Sequence, residues 1–182
     1  MASNWKSPNG QPLDALPSLT HVGEKIVGPY LKKILSGESG KMRQWQKSKM
    51  PAFKSQAEKM ALGLNQLHGF SDKDANSQGK EAAGGKPLIG QTAFACVLCH
   101  NAGDTKALAP FGAPGLDLEL AGERLRHEYY MRWMLNPKRV EPTTHMTKFS
   151  LEGHKKTALK AYDSDAEKQF NAIWDYMREI SR

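Results

Sequence analysis

Cys96-Val97-Leu98-Cys99-His100 places two thiols and an imidazole on one short turn, and the chain has no other cysteine. Thiols at this spacing can each add to one vinyl group of a porphyrin. The histidine that follows is then held under the iron as its proximal ligand. The stretch therefore reads as a haem c attachment site, with Cys96 and Cys99 as the thioether positions and His100 on the metal. Two other chemistries use a C-x-x-C pair. A four-ligand zinc site needs a second cysteine or histidine pair at ligand spacing, and His145 and His154 lie too far apart to match one. A thioredoxin-like pair follows a strand in a βαβ pattern, and no such pattern surrounds these cysteines.

A distal ligand is sought among Met131, Met134, Met146 and Met177. Methionine sulfur is soft and neutral, and opposite histidine it favours the reduced iron. Three of these residues fall in helical patterns, where methionine is commonly core filler. Met146 instead ends the stretch from Pro137 to His145, whose two prolines prevent a regular helix. Such a loop can cross the far face of a haem and present a sulfur. His145 competes with Met146, as do His127 and His154, and an open site is the remaining alternative. A metal-bound histidine usually donates its other ring N–H to a carbonyl. The loop containing Pro110 and Pro114 is the expected source of that carbonyl, with Pro114 preferred. Otherwise the two prolines simply shape a turn.

The elements that must position these groups are helical, since nothing alternates with period two for long enough to argue a sheet. Residues 71–86 are polar, Gly-rich and without a large apolar residue, and read as a linker between an N-terminal segment, 1–70, and a C-terminal domain, 87–182. The C-terminal domain is expected to open with a short helix over 87–95, in which Gly90 and Phe94 suit a close helix crossing. The last helix carries Ile173, Trp174, Tyr176 and Met177 at helical spacing and is its expected partner.

The two sides of the linker resemble each other. Leu19-Thr-His-Val-Gly-Glu-Lys-Ile26 matches Leu118-Glu-Leu-Ala-Gly-Glu-Arg-Leu125, and Tyr30 then aligns with Tyr129 without a gap. Lys49-Met50-Pro51-Ala52-Phe53 faces His145-Met146-Thr147-Lys148-Phe149, and Ala57-Glu58-Lys59 faces Ala166-Glu167-Lys168. The first copy has no cysteine ahead of its repeat unit. It is expected to fold as a haem-free helical half, either a remnant or the tail of a haem domain cut short. Its apolar positions Ile26, Tyr30, Ile34, Leu64 and Leu67 should be covered.

The net charge is +7 and the pI about 9.4. Lysines are spread along the chain with no aromatic–basic platform, which argues against nucleic acid. An acidic docking surface on a redox partner is the expected counterpart, met by Arg124, Arg126, Arg132, Lys138 and Arg139. No apolar run approaches the roughly 18 residues of a membrane span. The N-terminus lacks the apolar core of a signal peptide. Haem c is attached outside the cytoplasm in bacteria, so the expectation is a periplasmic or otherwise extracytoplasmic mature fragment, or a chain whose leader has been replaced.

Residues 87–182 resemble class I c-type cytochromes. The resemblance rests on Cys96-Val-Leu-Cys-His100, Ala113-Pro114-Gly-Leu-Asp-Leu118, Leu120-Ala-Gly-Glu-Arg-Leu125 leading to Trp133-Met-Leu-Asn-Pro137, the Met146–Phe149 segment and the final aromatic helix. The order is similar to that of haem domains within larger bacterial respiratory and dehydrogenase-associated proteins. It implies an all-α, cytochrome c-like fold around one covalent haem, with a second, smaller cytochrome-like half. It further implies haem contacts at Cys96, Cys99, Pro114 and Trp133, and iron ligation by His100 and Met146. The family's usual Lys-Met-Pro reads His145-Met146-Thr147 here, whereas the first copy keeps Lys49-Met50-Pro51, which leaves Met50 reaching across as a further alternative. The expected function is electron transfer rather than catalysis, as a carrier or as a relay within a larger assembly. The alternatives are a haem enzyme or gas sensor with an open distal site, and an interaction module in which the N-terminal half docks the haem domain to an assembly.

Overall fold

The computed structural model describes residues 19–40, 50–71, 82–108 and 115–181. Among them every extended element is helical and β-structure is limited to isolated bridges, as an all-α chain requires. The first half contains α1 (Val22–Lys25), α2 (Gly28–Ser36) and α3 (Ala57–Leu67). The second contains α4 (Ala82–Leu88), α5 (Leu118–Arg124), α6 (His127–Leu135), α7 (Pro137–Val140) and α8 (Ala166–Ile180), with 3-10 turns at Cys96–Leu98, Glu152–His154 and Ala161–Ser164.

Local chemistry sets the helix ends. Pro29 lies in the first turn of α2, where its missing N–H leaves no bond unmade, and Gly37 closes the helix in the left-handed region at φ 82°. Asp117 accepts from the Glu119 N–H at 3.0 Å to start α5, and Asp165 accepts from the Lys168 N–H at 3.0 Å to start α8. The buried face of α8 carries Phe170, Ile173, Trp174 and Met177 at three- and four-residue steps. Each such side chain contributes about 1.5–3 kcal/mol on leaving water.

Helix α8 is the hub of the second half, with α4, α5 and α6 all packed on it. Two of these contacts are at backbone distance. A Cβ at Gly85 would overlap the Ala172 carbonyl oxygen, and one at Gly122 would overlap the Met177 carbonyl oxygen. Buried Gln169 ties the preceding loop to α8, donating to the Leu159 and Ala161 carbonyls at 3.0 and 2.6 Å and accepting from the Thr157 hydroxyl at 2.6 Å.

The helix before the cysteines begins at Ala82, inside the stretch expected to be linker, and ends at Leu88, close to where it was expected to begin. Residues 72–81 of that stretch lie outside the described residues. Gly84-Gly85 reads as linker by composition, yet a glycine is what the crossing with α8 needs. Gly90 lies beyond the helix and takes no part in that crossing. Phe94 packs instead on Phe149 and Phe170, with ring centroids 5.0 and 5.7 Å away.

The internal repeat appears as a local two-fold contact between the halves. Ile26 pairs antiparallel with Leu125, its own counterpart. The Val27 N–H donates to the Arg124 carbonyl and the Arg126 N–H to the Lys25 carbonyl, both at 2.9 Å. Val27 and Arg126 occupy equivalent positions, as do Lys25 and Arg124, so the two bonds are one bond made twice. Two ion pairs repeat the pattern, Arg132 with Glu24 at 2.8 Å and Lys33 with Glu123 at 2.7 Å.

The match of Ala57-Glu58-Lys59 with Ala166-Glu167-Lys168 is one helical turn out of register. Gly23 meets the Leu64 carbonyl as Gly122 meets that of Met177. In this register Ala57 and Ala61 stand where α8 has Phe170 and Trp174. These two alanines belong to a small core with Val22, Ile26, Tyr30, Leu31 and Leu35. Such short side chains let α3 pack directly against α1 and α2. Ile34 and Leu64 are partly buried against that core, but Leu67 is 77% exposed, contrary to expectation. No described helix packs on α3 as α4 packs on α8.

Gly122→Ala should destabilise the chain by about 1–3 kcal/mol in urea unfolding, because the new methyl meets rigid backbone. Gly63→Ala, on the open face of α3, should stabilise by up to about 1 kcal/mol. Equal effects at the two sites would rule out the close crossing.

Candidate functional site

The 3-10 turn carrying the cysteines hangs from α4 through a short folded loop. Ala95 adopts a left-handed φ of 56° and turns the chain into Cys96. The Val97 N–H donates to the Ile89 carbonyl at 3.2 Å, and buried Val97 pins the turn to the core. The N–H groups of Cys99 and His100 both donate to the Cys96 carbonyl, at 3.1 and 2.9 Å. Both cysteines are half-buried and neither is in a disulfide.

His100 Nδ1 lies 2.6 Å from the Leu116 carbonyl oxygen. A carbonyl only accepts, so Nδ1 carries a proton, which leaves Nε2 as the nitrogen whose lone pair can serve a metal. The acceptor, Leu116, comes from the expected loop. Pro114 itself lies outside the described residues. Gly115 is the other partner: its N–H donates to the Cys99 carbonyl at 2.8 Å, and a Cβ there would sit 2.6 Å from His100 Cε1. The loop is continued into α5 by the Leu118 N–H, which donates to the Asn101 carbonyl at 2.9 Å. Neither Leu116 nor Gly115 was singled out from sequence, because a backbone acceptor leaves no side-chain signature.

Trp133 and Met146 meet directly. The Trp133 indole N–H donates to Met146 Sδ at 2.8 Å, and both residues are half-buried against the apolar core that also touches Cys96. The loop after Met146 is closed by Ser150, whose hydroxyl donates to the Leu135 carbonyl and accepts from His154 Nδ1 at 2.9 Å. The competing ligands are placed otherwise. His145 is exposed, His154 is held by Ser150, and His127 Nε2 is bonded to Asn171 Oδ1 at 2.6 Å. Met134 and Met177 are buried in the core, Met131 packs against it, and Met50 is exposed in the first half.

Burial pushes the Cys96 thiol up to about 12, so a thiolate hardly exists there near neutral pH. Among the described residues no three His, Cys, Asp or Glu side chains converge on one point. The donor set does fit a haem: two thiols on one turn, an imidazole oriented through Nδ1, and a held thioether. A shallow cleft lined by Lys86, Asp104, Thr105, Tyr176 and Glu179 includes none of these residues.

The cationic surface expected around the site is smaller than the sequence implied. Arg124 and Arg126 are buried at the contact between the halves, and Arg132 is paired with Glu24. Lys138 and Arg139 remain exposed. Comparison of the chain with protein-family models, with curated proteins and with solved structures returned no match.

In the folded chain before any covalent modification, iodoacetamide at pH 8 should leave Cys96 intact, and urea should open it to labelling. Rapid native labelling, read by peptide mass, would contradict the burial.

Proposed function

We propose that the chain is a mono-haem c-type cytochrome that transfers electrons to or from a protein partner, as a carrier or as a relay domain of a larger assembly. The observation that carries this reading is the His100 ring, fixed through Nδ1 by the Leu116 carbonyl within the Cys96–His100 turn. Cys96 and Cys99 would hold the porphyrin through thioethers, and His100 and Met146 would ligate its iron. When bound, the haem supplies a one-electron iron couple. Everything else is done by this chain. The Leu116 carbonyl and the missing Cβ of Gly115 set the plane of the imidazole and strengthen it as a donor. The Trp133 indole holds the Met146 sulfur in place, with Ser150 and His154 closing the loop behind it. Phe94, Phe149, Phe170, Tyr130 and Trp174 form the apolar wall that keeps water away.

The first half offers no second attachment turn, and Ala57 and Ala61 fill its core where large side chains stand in the second. On this reading it is a haem-free partner domain packed on the haem half. Lys138 and Arg139 are exposed on α7, the short helix that Pro137 starts where the prolines were expected to prevent one, ahead of the loop carrying Met146, and they support docking to an acidic surface. The mature chain would work outside the cytoplasm, where c-type haem is attached in bacteria. Among the described residues no helix is long and apolar enough to cross a membrane.

The intact mass of chain matured with a c-type attachment system should exceed the polypeptide by one haem that resists extraction into acidic organic solvent. Extractable haem, or none, would overturn the reading. In the same material Met146→Ala should abolish the weak near-infrared sulfur-to-iron band and let the reduced protein bind carbon monoxide. Carbon monoxide binding by the unaltered protein would favour a sensor or enzyme with an open distal site.

A further inference from the structure

His68 closes α3 in the first half. Its Nδ1 lies 3.0 Å from the Leu64 carbonyl oxygen and its Nε2 lies 2.7 Å from the Thr20 carbonyl oxygen. Both partners only accept, so both bonds exist together only when both ring nitrogens carry protons. The second half holds the same corner with a different residue. Ser181 stands where His68 stands, and its hydroxyl faces the carbonyls of Met177 and Glu119, the counterparts of Leu64 and Thr20. A hydroxyl has one proton and serves one carbonyl at a time, at any pH. The histidine serves both, and only as the cation.

We propose that His68 is a proton-operated latch, which as an imidazolium ties the end of α3 to the segment entering α1 and opens when it loses one proton. The corner it holds is built around Gly23, whose absent Cβ leaves room for the ring; a Cβ there would lie 2.7 Å from His68 Nδ1. The charged groups around it are few. Glu24 of α1 favours the cation and is shared with Arg132 at 2.8 Å and His21 at 2.7 Å. From the start of α6, buried Arg126 donates to the Gly23 carbonyl at 3.0 Å and lies 4.3 Å over the Phe70 ring. Arg126 spans the two halves, so the latch acts on a corner they share. The Leu64 and Thr20 carbonyls raise the His68 pKa above its ordinary value, with Glu24 adding to the shift and partial burial opposing it.

The sign follows from linkage. A group whose pKa is higher folded than unfolded stabilises the fold fully below its unfolded value, about 6.5, and ceases to as pH rises through the folded value. The experiment uses the full chain. Long-range proton–nitrogen spectra recorded from pH 5 to 9 should show both His68 ring nitrogens protonated past pH 6.5. Melting temperatures of wild type and His68→Ser are compared over the same range, so that the other five histidines cancel. The wild-type advantage should be present at pH 5 and gone by pH 9, because serine reproduces the Ser181 corner without titrating. A His68 that titrates at or below about 6.5, or an advantage that does not change with pH, would overturn the latch. Should His68→Ser fail to fold, His68→Gln takes its place in the same comparison, and the spectra of the wild type decide independently.

Discussion

Two helices reach α8 at backbone distance, and the candidate site depends on both contacts. Gly85 brings α4 against the Ala172 carbonyl, and Gly122 brings α5 against that of Met177. The turn bearing Cys96, Cys99 and His100 follows α4, and the loop bearing Gly115 and Leu116 leads into α5. The bond from His100 to Leu116 therefore joins two segments whose separation is set by how closely their helices approach a common third. A single methyl at either glycine would move one of these segments against the other. Interiors packed at crystal-like density transmit such shifts rather than absorb them.

The Cys96–His100 turn was legible as a candidate site because its chemistry depends on residue type and spacing alone. The helical class and the duplication were also legible, since both rest on side-chain patterns that recur. Composition misled at Gly84-Gly85. Two glycines beside a polar stretch look the same whether they loosen a linker or admit a neighbouring backbone, and only the partner helix decides. Sequence could not single out Leu116 as an acceptor, because every residue of a loop offers an identical carbonyl. Three of the four arginines expected on a docking face, Arg124, Arg126 and Arg132, lie at the contact between the halves, where a net charge count has no way to place them. The register of α3 against α8 was set by a three-residue likeness, whereas the structure sets it by where Gly23 and Gly122 cross.

The two copies show how one helical plan is adapted to different contents. In the second, Phe170 and Trp174 of α8 build an aromatic cluster with Phe94 and Tyr130. In the first, Ala57 and Ala61 stand at those positions. The capping corners diverged as well, to His68 in one half and Ser181 in the other. Each solves the same problem, the unpaired carbonyls at the end of a helix, with a side chain that responds differently to its surroundings.

The antiparallel pairing of Ile26 with Leu125 has a consequence for how little an interface needs to contain. Between separate molecules, two backbone hydrogen bonds, two exposed ion pairs and the contacts of Arg126 with Gly23 and Phe70 would scarcely offset the loss of translational and rotational freedom on association. Within one chain that loss is largely met by the covalent connection, which holds the two surfaces at an effective concentration on the order of millimolar. A contact too weak to form a dimer is then strong enough to fix the orientation of two tethered halves. It also leaves that orientation open to adjustment by modest local energies, because little binding free energy opposes the change.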